Sequence, residues 1–160
     1  IQRLNLILVY CDRFLLMILD FLFYLFIVFI SVLFMEIIAI FTHKYIMHGI
    51  GWVFHKSHHQ KHESLFELND IYFIFFSLPS IFSIIWGLLY YNYLVLSIGI
   101  GIMFYGMIYI FLHDLVVHNR FGFNKKLTNS YFMKIKKAHL KHHTTKSRDG
   151  ATNFGFISYR

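Results

Sequence analysis

From Phe14 to Phe41 the chain is apolar almost without a break, and Asp20 and Glu36 carry the only charges in the stretch. At 1.5 Å of rise per residue, about 20 residues cross the hydrocarbon of a bilayer, so this segment holds at least one membrane span. Two more apolar segments follow, roughly Ile71 to Tyr90 and Leu94 to Leu112. They are separated by an uncharged Tyr-Tyr-Asn-Tyr turn (Tyr90 to Tyr93) with the aromatic character of a membrane interface. Pro79 is expected to kink the second span, which a membrane helix tolerates. Residues 1–12 are apolar enough to belong to a further span, so three spans are expected, with four as the alternative. The first apolar segment is too long for a signal-peptide core, and no cleavage site follows it.

Composition agrees with a lipid solvent. The 160 residues are 58% hydrophobic and 21% aromatic, far more apolar than the surface of a soluble domain of this size allows. The expected fold class is all-α, a multi-pass membrane helical bundle of three to four transmembrane helices with a helical polyhistidine cap. A single domain over residues 1–160 is expected, with spans at about 14–41, 71–90 and 94–112 and histidine-bearing segments at 43–70 and 113–158. The lone Cys11 excludes an internal disulfide and any metal site built from several cysteines.

Two consecutive spans return a chain to the side it left, so residues 43–70 and 113–160 face the same side. Nine Lys or Arg and no Asp or Glu lie between Arg120 and Arg148, and Lys44, Lys56, Lys61 and Arg160 add to that side. Only Arg3 and Arg13 lie elsewhere. The positive-inside rule makes the shared side cytoplasmic, and beside apolar spans a basic run reads as contact with anionic headgroups rather than nucleic acid.

All eleven histidines fall in these two segments. They read His43-x4-His48, His55-x2-His58-His59, His113-x4-His118 and His139-x2-His142-His143; only His62 stands outside, read as a surface residue. One pattern, once before the hairpin and once after it, is not what scattered interface histidines would give. Neutral imidazole is a common ligand for iron, zinc and copper. On a helix the outer histidines of H-x-x-H-H lie about 40° apart and the middle one within about 100° of both, an arc wide enough to serve two neighbouring ions. An H-x4-H pair on an α-helix is about 140° apart, so each pair is expected to straddle a helix end or to give one ligand to each ion. Ten imidazoles for two ions suit five- or six-coordinate metal with open positions for oxygen, where structural zinc would want four ligands and closure.

No carboxylate-x-x-His pair is present, which excludes the soluble di-iron carboxylate bundle, and the absence of His-Glu-x-x-His removes the common metalloprotease motif. An all-imidazole shell leaves metal charge to be balanced from behind. The candidates are Glu36, seven residues before His43 and so on nearly the same helix face, with Glu67, Asn69, Asp70 and Asp114. An acid inside a span is a functional candidate by default. Asp114 orients His113 or caps a helix, and Asn69 and Asp70 also read as the start of the second span. Asp20 and Cys11 carry no assignable role.

The order and detail of these motifs resemble the β-carotene 3-hydroxylases of bacterial type, within the fatty acid hydroxylase superfamily of membrane polyhistidine enzymes. The resemblance runs through His-Lys-Tyr-Ile-Met-His-Gly (43–49), Gly51-Trp52, His55-Lys56-Ser57-His58-His59, Glu67-Leu68-Asn69-Asp70, Tyr105-Gly106, His113-Asp114 to His118-Asn119-Arg120, Ala138-His139 to His143, and Phe154-Gly155-Phe156, covering roughly residues 35–158. It implies a non-haem di-iron monooxygenase with the ten motif histidines as iron ligands, zinc being possible as purified, O2 as co-substrate and a ferredoxin-type electron donor. It implies hydroxylation at C3 of each β-ionone ring, converting β-carotene through β-cryptoxanthin to zeaxanthin, in a bacterial inner membrane with the metal site on the cytoplasmic face. The carotenoid is then expected to enter laterally from the bilayer and to seat its ring beneath the metals among Phe and Tyr side chains. Neighbouring alternatives are a ketolase, a desaturase, or a sterol or fatty acid hydroxylase. A bis-His haem protein needs far fewer histidines, and a histidine-rich metal transporter would carry its ligands near mid-membrane rather than at span ends.

Overall fold

The computed structural model describes residues 2–60, 64, 66–122 and 129–159, and among them every regular element is helical. Helix α1 (Gln2–Phe41) passes directly into a π-helical segment, Thr42–Ile50, that breaks at Gly49. A short helix α2 (Trp52–His55) and a 3-10 turn (Lys56–His59) follow. Helices α3 (Asp70–Leu89) and α4 (Tyr93–Tyr109) form the hairpin, α4 continues as a second π-helical segment (Ile110–Val117), and α5 (Ser130–His142) closes the site.

Among the described residues, three helices are long and apolar enough to cross a membrane: Tyr10–Ile50, Asp70–Leu89 and Tyr93–Val117. Residues 2–9 continue α1 and make no separate helix among the described residues. A mostly apolar run with no Gly or Pro between Gln2 and Phe41 gives the backbone little reason to stop. Helix α3 runs without interruption through Pro79. The turn between α3 and α4 uses a left-handed Tyr91 (φ 52°), and Asn92 caps α4 by accepting from the Val95 amide at 3.2 Å. His62, Lys61, Lys125, Lys126 and Arg160 lie outside the described residues.

Helix α4 is the middle of the three, and two glycines two positions apart show why. Two residues turn an α-helix by about 200°, so Gly99 and Gly101 face opposite flanks. A Cβ on Gly99 would run into Ile84 and Ser83 of α3, and one on Gly101 into Ser31 and the Val28 carbonyl of α1. Small residues at both contacts let the backbones approach closely, as membrane helices pack. Ser80 adds a hydrogen bond across the α3–α4 contact to the Gly99 carbonyl (2.8 Å).

The apolar core, Met35, Ala39, Tyr105 and Phe156, with Leu112, Val117 and Ile135 beside it, sits toward one end of the bundle. That end is capped by histidines: His43, His55, His59 and His142 are the most deeply buried side chains among the described residues. Helix α5 presents Ile135, His139 and His142 inward at i, i+4 and i+7, and leaves Lys134, Lys137 and Lys141 exposed on its far face.

Candidate metal centre

The ten motif histidines gather at one place. One group holds His43, His48, His55, His59 and His142, with one nitrogen from each within 4.8 Å of all the others; a second holds His58, His113, His118 and His139. His143 lies against the second group, its Nε2 2.8 Å from His139 Nε2 and its ring beside those of His58 (4.5 Å) and His118 (4.7 Å). Its other face stacks on His59 (4.5 Å, 15°), so the two groups share a wall.

The two halves of the chain contribute in the same way. His43, His48, His55 and His59 stay together, while His58 crosses to the other group; His113, His118 and His139, with His143 beside them, stay together, while His142 crosses. Each H-x-x-H-H run thus divides between the two groups, as its angular spread allows.

The H-x4-H pairs do otherwise than α-helical geometry suggests. Both members of each pair enter the same group, because each pair lies on backbone wound with i→i+5 hydrogen bonds. The His118 amide donates to the His113 carbonyl (3.0 Å), closing one turn over the pair itself, and the Gly51 amide donates likewise to Ile46 (2.8 Å). Neither pair gives one ligand to each group.

The proton positions within the first group follow from its hydrogen bonds. The Nδ1–H groups donate to the carbonyl oxygens of Phe154 (from His43, 2.9 Å), Arg148 (from His48, 2.8 Å), Thr145 (from His59, 2.9 Å) and Thr152 (from His142, 2.7 Å), and to Asn69 Oδ1 (from His55, 2.7 Å). A carbonyl only accepts, so Nδ1 carries the proton, and in a neutral imidazole Nε2 is then a bare lone pair. These Nε2 atoms face one another: His43 to His55 at 3.1 Å, His55 to His59 at 3.2 Å, His48 to His142 at 3.1 Å and His142 to His59 at 3.1 Å. Burial opposes protonation: it pushes His55 and His142 down to about 3 and His59 to about 4, and holds His58 and His139 well below the ordinary histidine value. Converging lone pairs that cannot take up protons are stabilised by a cation, so the donor set fits a metal ion.

Two rings of the second group are backed by acids. His58 Nδ1–H donates to Glu67 (3.0 Å) and His113 Nδ1–H to Asp114 (2.7 Å), while their Nε2 atoms meet at 2.9 Å. Arg120 binds Asp70 through two hydrogen bonds (2.8 and 2.5 Å) and lies 3.6 Å from Asp114.

Of the five residues expected behind the histidines, Glu67, Asn69 and Asp114 touch an imidazole. Asn69 sits at the start of α3, yet its side chain makes no capping bond there and serves His55. Asp70 accepts from the Glu67 amide (3.0 Å) and holds Arg120. Glu36 hydrogen-bonds to no histidine among the described residues. Its Oε1 accepts the amides of Phe156, Ile157 and Ser158 and the Ser158 hydroxyl, and its Oε2 accepts from Tyr105 (2.8 Å). It pins the C-terminal segment whose Phe154 carbonyl orients His43. Sequence reasoning missed that segment's part: its anchoring groups are backbone carbonyls, which no residue type announces.

Directly beneath both groups lies a cavity of about 230 Å3 between α1, α3 and α4. Its roof is Phe156, stacked on His43 (5.3 Å, 9°) and edge-on to His113 (5.4 Å), and Tyr109, stacked on His113 (4.6 Å, 19°). One layer of aromatic rings therefore separates an apolar chamber from both histidine groups.

The fatty acid hydroxylase family matches residues 26–159. The chain is 39% identical over 137 residues to a β-carotene hydroxylase of Pantoea ananas, covering 82% of this chain and 74% of the relative. It is 40% identical over 140 residues to a β-carotene hydroxylase of Pseudescherichia vulneris, covering 84% and 76%. A chloroplastic β-carotene 3-hydroxylase of Arabidopsis thaliana is 38% identical over 120 residues, covering 70% and 38%. No solved structure matches the chain.

Proposed function

The chain belongs to the fatty acid hydroxylase family, and from that premise we propose that it is a membrane di-iron monooxygenase that hydroxylates C3 of each β-ionone ring of β-carotene, giving β-cryptoxanthin and then zeaxanthin. The observation that carries this reading is the apolar cavity roofed by Phe156 and Tyr109 directly under two convergent histidine groups. A wholly apolar ring has a place to sit one aromatic layer below both groups, and water has little reason to enter.

Two bound ions would supply the reductive activation of O2, one oxygen atom entering a C–H bond and the other leaving as water with two electrons and two protons. The chain's own residues prepare for that chemistry. His43, His48, His55, His59 and His142 would hold one ion; His58, His113, His118, His139 and His143 the other. The carbonyls of residues 145–154 fix the tautomer and aim of the first set, and Glu67 and Asp114 raise the donor strength of the second. Five donors per ion leave positions open, which suits iron in oxygen chemistry better than closed four-coordinate zinc.

The exposed Lys134, Lys137 and Lys141 offer a basic face to an acidic ferredoxin-type donor and to anionic lipid, and the positive-inside rule puts that face in the cytoplasm. The three spans and the histidine cap act as one domain. Expression in a β-carotene-accumulating host tests the reading: ring-hydroxylated carotenoids with iron bound to the protein support it, and keto groups, new double bonds or unaltered β-carotene overturn it.

A further inference from the structure

Resting on that proposed function, we propose that the cavity admits one end of a two-ringed carotenoid at a time, so that the two rings are hydroxylated in separate binding events. Between them the singly hydroxylated carotenoid is released into the bilayer. Size is the first argument. An apolar cavity of about 150 Å3 accommodates a benzene-sized ring, so 230 Å3 accommodates roughly nine carbons, the content of one trimethylated cyclohexene end. A forty-carbon polyene is several times larger, and most of it must stay outside.

Direction is the second. The lining runs along α3 from Tyr72, at the histidine end, to Ile84, about 18 Å at helical rise, with Ile102 to Tyr109 of α4 and Ile110 just beyond it facing α3. The exposed members of that lining, Phe73, Ile81, Met103 and Met107, mark the side that opens to lipid. A carotenoid threaded this way has one ring under Phe156 and Tyr109 and its other ring in the bilayer. Both histidine groups lie at the same end of the cavity, so the second ring reaches them only after the molecule leaves and returns reversed.

Polarity is the third. The hydroxyls of Tyr72, Ser77, Ser80 and Tyr105 line the cavity, yet each is donated to protein: to the carbonyls of Gly51, Ile74 and Gly99, and to Glu36. A bare hydrocarbon ring strands none of these four donors. A ring that has just gained a hydroxyl finds little to bond with along the walls, which favours its release and return by the unmodified end.

The test is a pulse and chase with the full chain in membranes, supplied with a reduced ferredoxin system. Carbon-13-labelled β-carotene is converted until singly hydroxylated product is present, and unlabelled β-carotene is then added in about tenfold excess. Separate binding events predict that formation of labelled doubly hydroxylated product falls about tenfold by mass action. Labelled singly hydroxylated carotenoid that never exceeds one molecule per enzyme before the chase would show retention of the intermediate, or transfer to a partner copy, and would overturn the inference alone. No ring hydroxylation before the chase would overturn the proposed function and the inference with it. A variant gives a second reading. A Cβ at Gly106 has only Phe73 nearby, at 3.9 Å, so Gly106→Leu places its side chain in the cavity without a backbone clash. With metal content unchanged, it slows both hydroxylations by the same factor if both use this cavity; slowing only one would overturn the inference.

Discussion

The amide of His118 lies 3.0 Å from the carbonyl of His113, and that single hydrogen bond turns two imidazoles five residues apart onto the same side of the helix. An α-helix would leave them about 140° apart. Such i→i+5 winding is rare and occurs mostly as single turns at functional sites. It persists here where imidazole nitrogens converge on each other.

Chelation should therefore loosen the two π-helical segments first. Hydrogen exchange of metal-free protein should accelerate in Thr42–Ile50 and Ile110–Val117 while α3 stays protected; uniform acceleration across all three spans would mean that the winding does not depend on the ions.

His58 and His142 are the crossing histidines, each carried by one half of the chain and grouped with residues of the other. Replacing either with Ala should abolish ring hydroxylation while leaving membrane insertion intact, with bound metal falling below two ions per chain. Product yield equal to the unaltered protein's would remove these residues from the ligand set.

The two groups are backed differently, and that difference should be measurable. Glu67→Gln weakens the acceptor behind His58 and should lower the affinity for one ion by about 10–100-fold, as loss of such a partner does elsewhere. The other ion, held by carbonyl-backed imidazoles, should titrate as before. Equal loss of both ions would show that the groups do not bind independently.

Acid should unfold the metal-free protein early. Burial lowers His55 and His142 to about 3 and His59 to about 4, whereas the unfolded chain takes up these protons near 6.5. The unfolded state thus binds more protons below 6.5, and stability falls with pH by about 1.4 kcal/mol per unit for each such histidine down to about pH 4. Stability is fully present above 6.5. A denaturation midpoint constant from pH 7 to 5 would contradict the burial of these rings.

Glu36 acts at a distance from the histidines. Glu36→Ala leaves the amides of Phe156, Ile157 and Ser158 without their acceptor, a cost of about 1–3 kcal/mol for each that stays buried. Glu36→Gln keeps an oxygen for them and should lose much less. Thermal midpoints should rank the native protein first, Gln close behind and Ala far below; equal losses for Gln and Ala would give the charge, rather than the acceptor, the main role.

The spans, the shared end for both histidine segments and the split of each H-x-x-H-H run were all readable from hydropathy and helical angles. The π-helical winding was not, because angular arguments presuppose an α-helix, and the signal against it was the misfit of H-x4-H itself. Glu36 stood out as an acid in an apolar run, but the 3.6-residue repeat that placed it on the His43 face took no account of the segment at Phe156–Ser158. Phe156, Ile157 and Ser158 are distant in sequence and reach it first. Asp114 and Glu67 stood near histidines in sequence, and short range sufficed to find them; the long-range anchors were hidden because amides and carbonyls are common to every residue.

Four imidazoles of the first group are aimed by main-chain oxygens of Thr145, Arg148, Thr152 and Phe154. Because any amino acid supplies that atom, this loop can drift freely in letter while remaining intolerant of a gained or lost residue. Relatives of this chain should vary in identity along the loop yet keep its length invariant, because spacing rather than side chain aims these imidazoles.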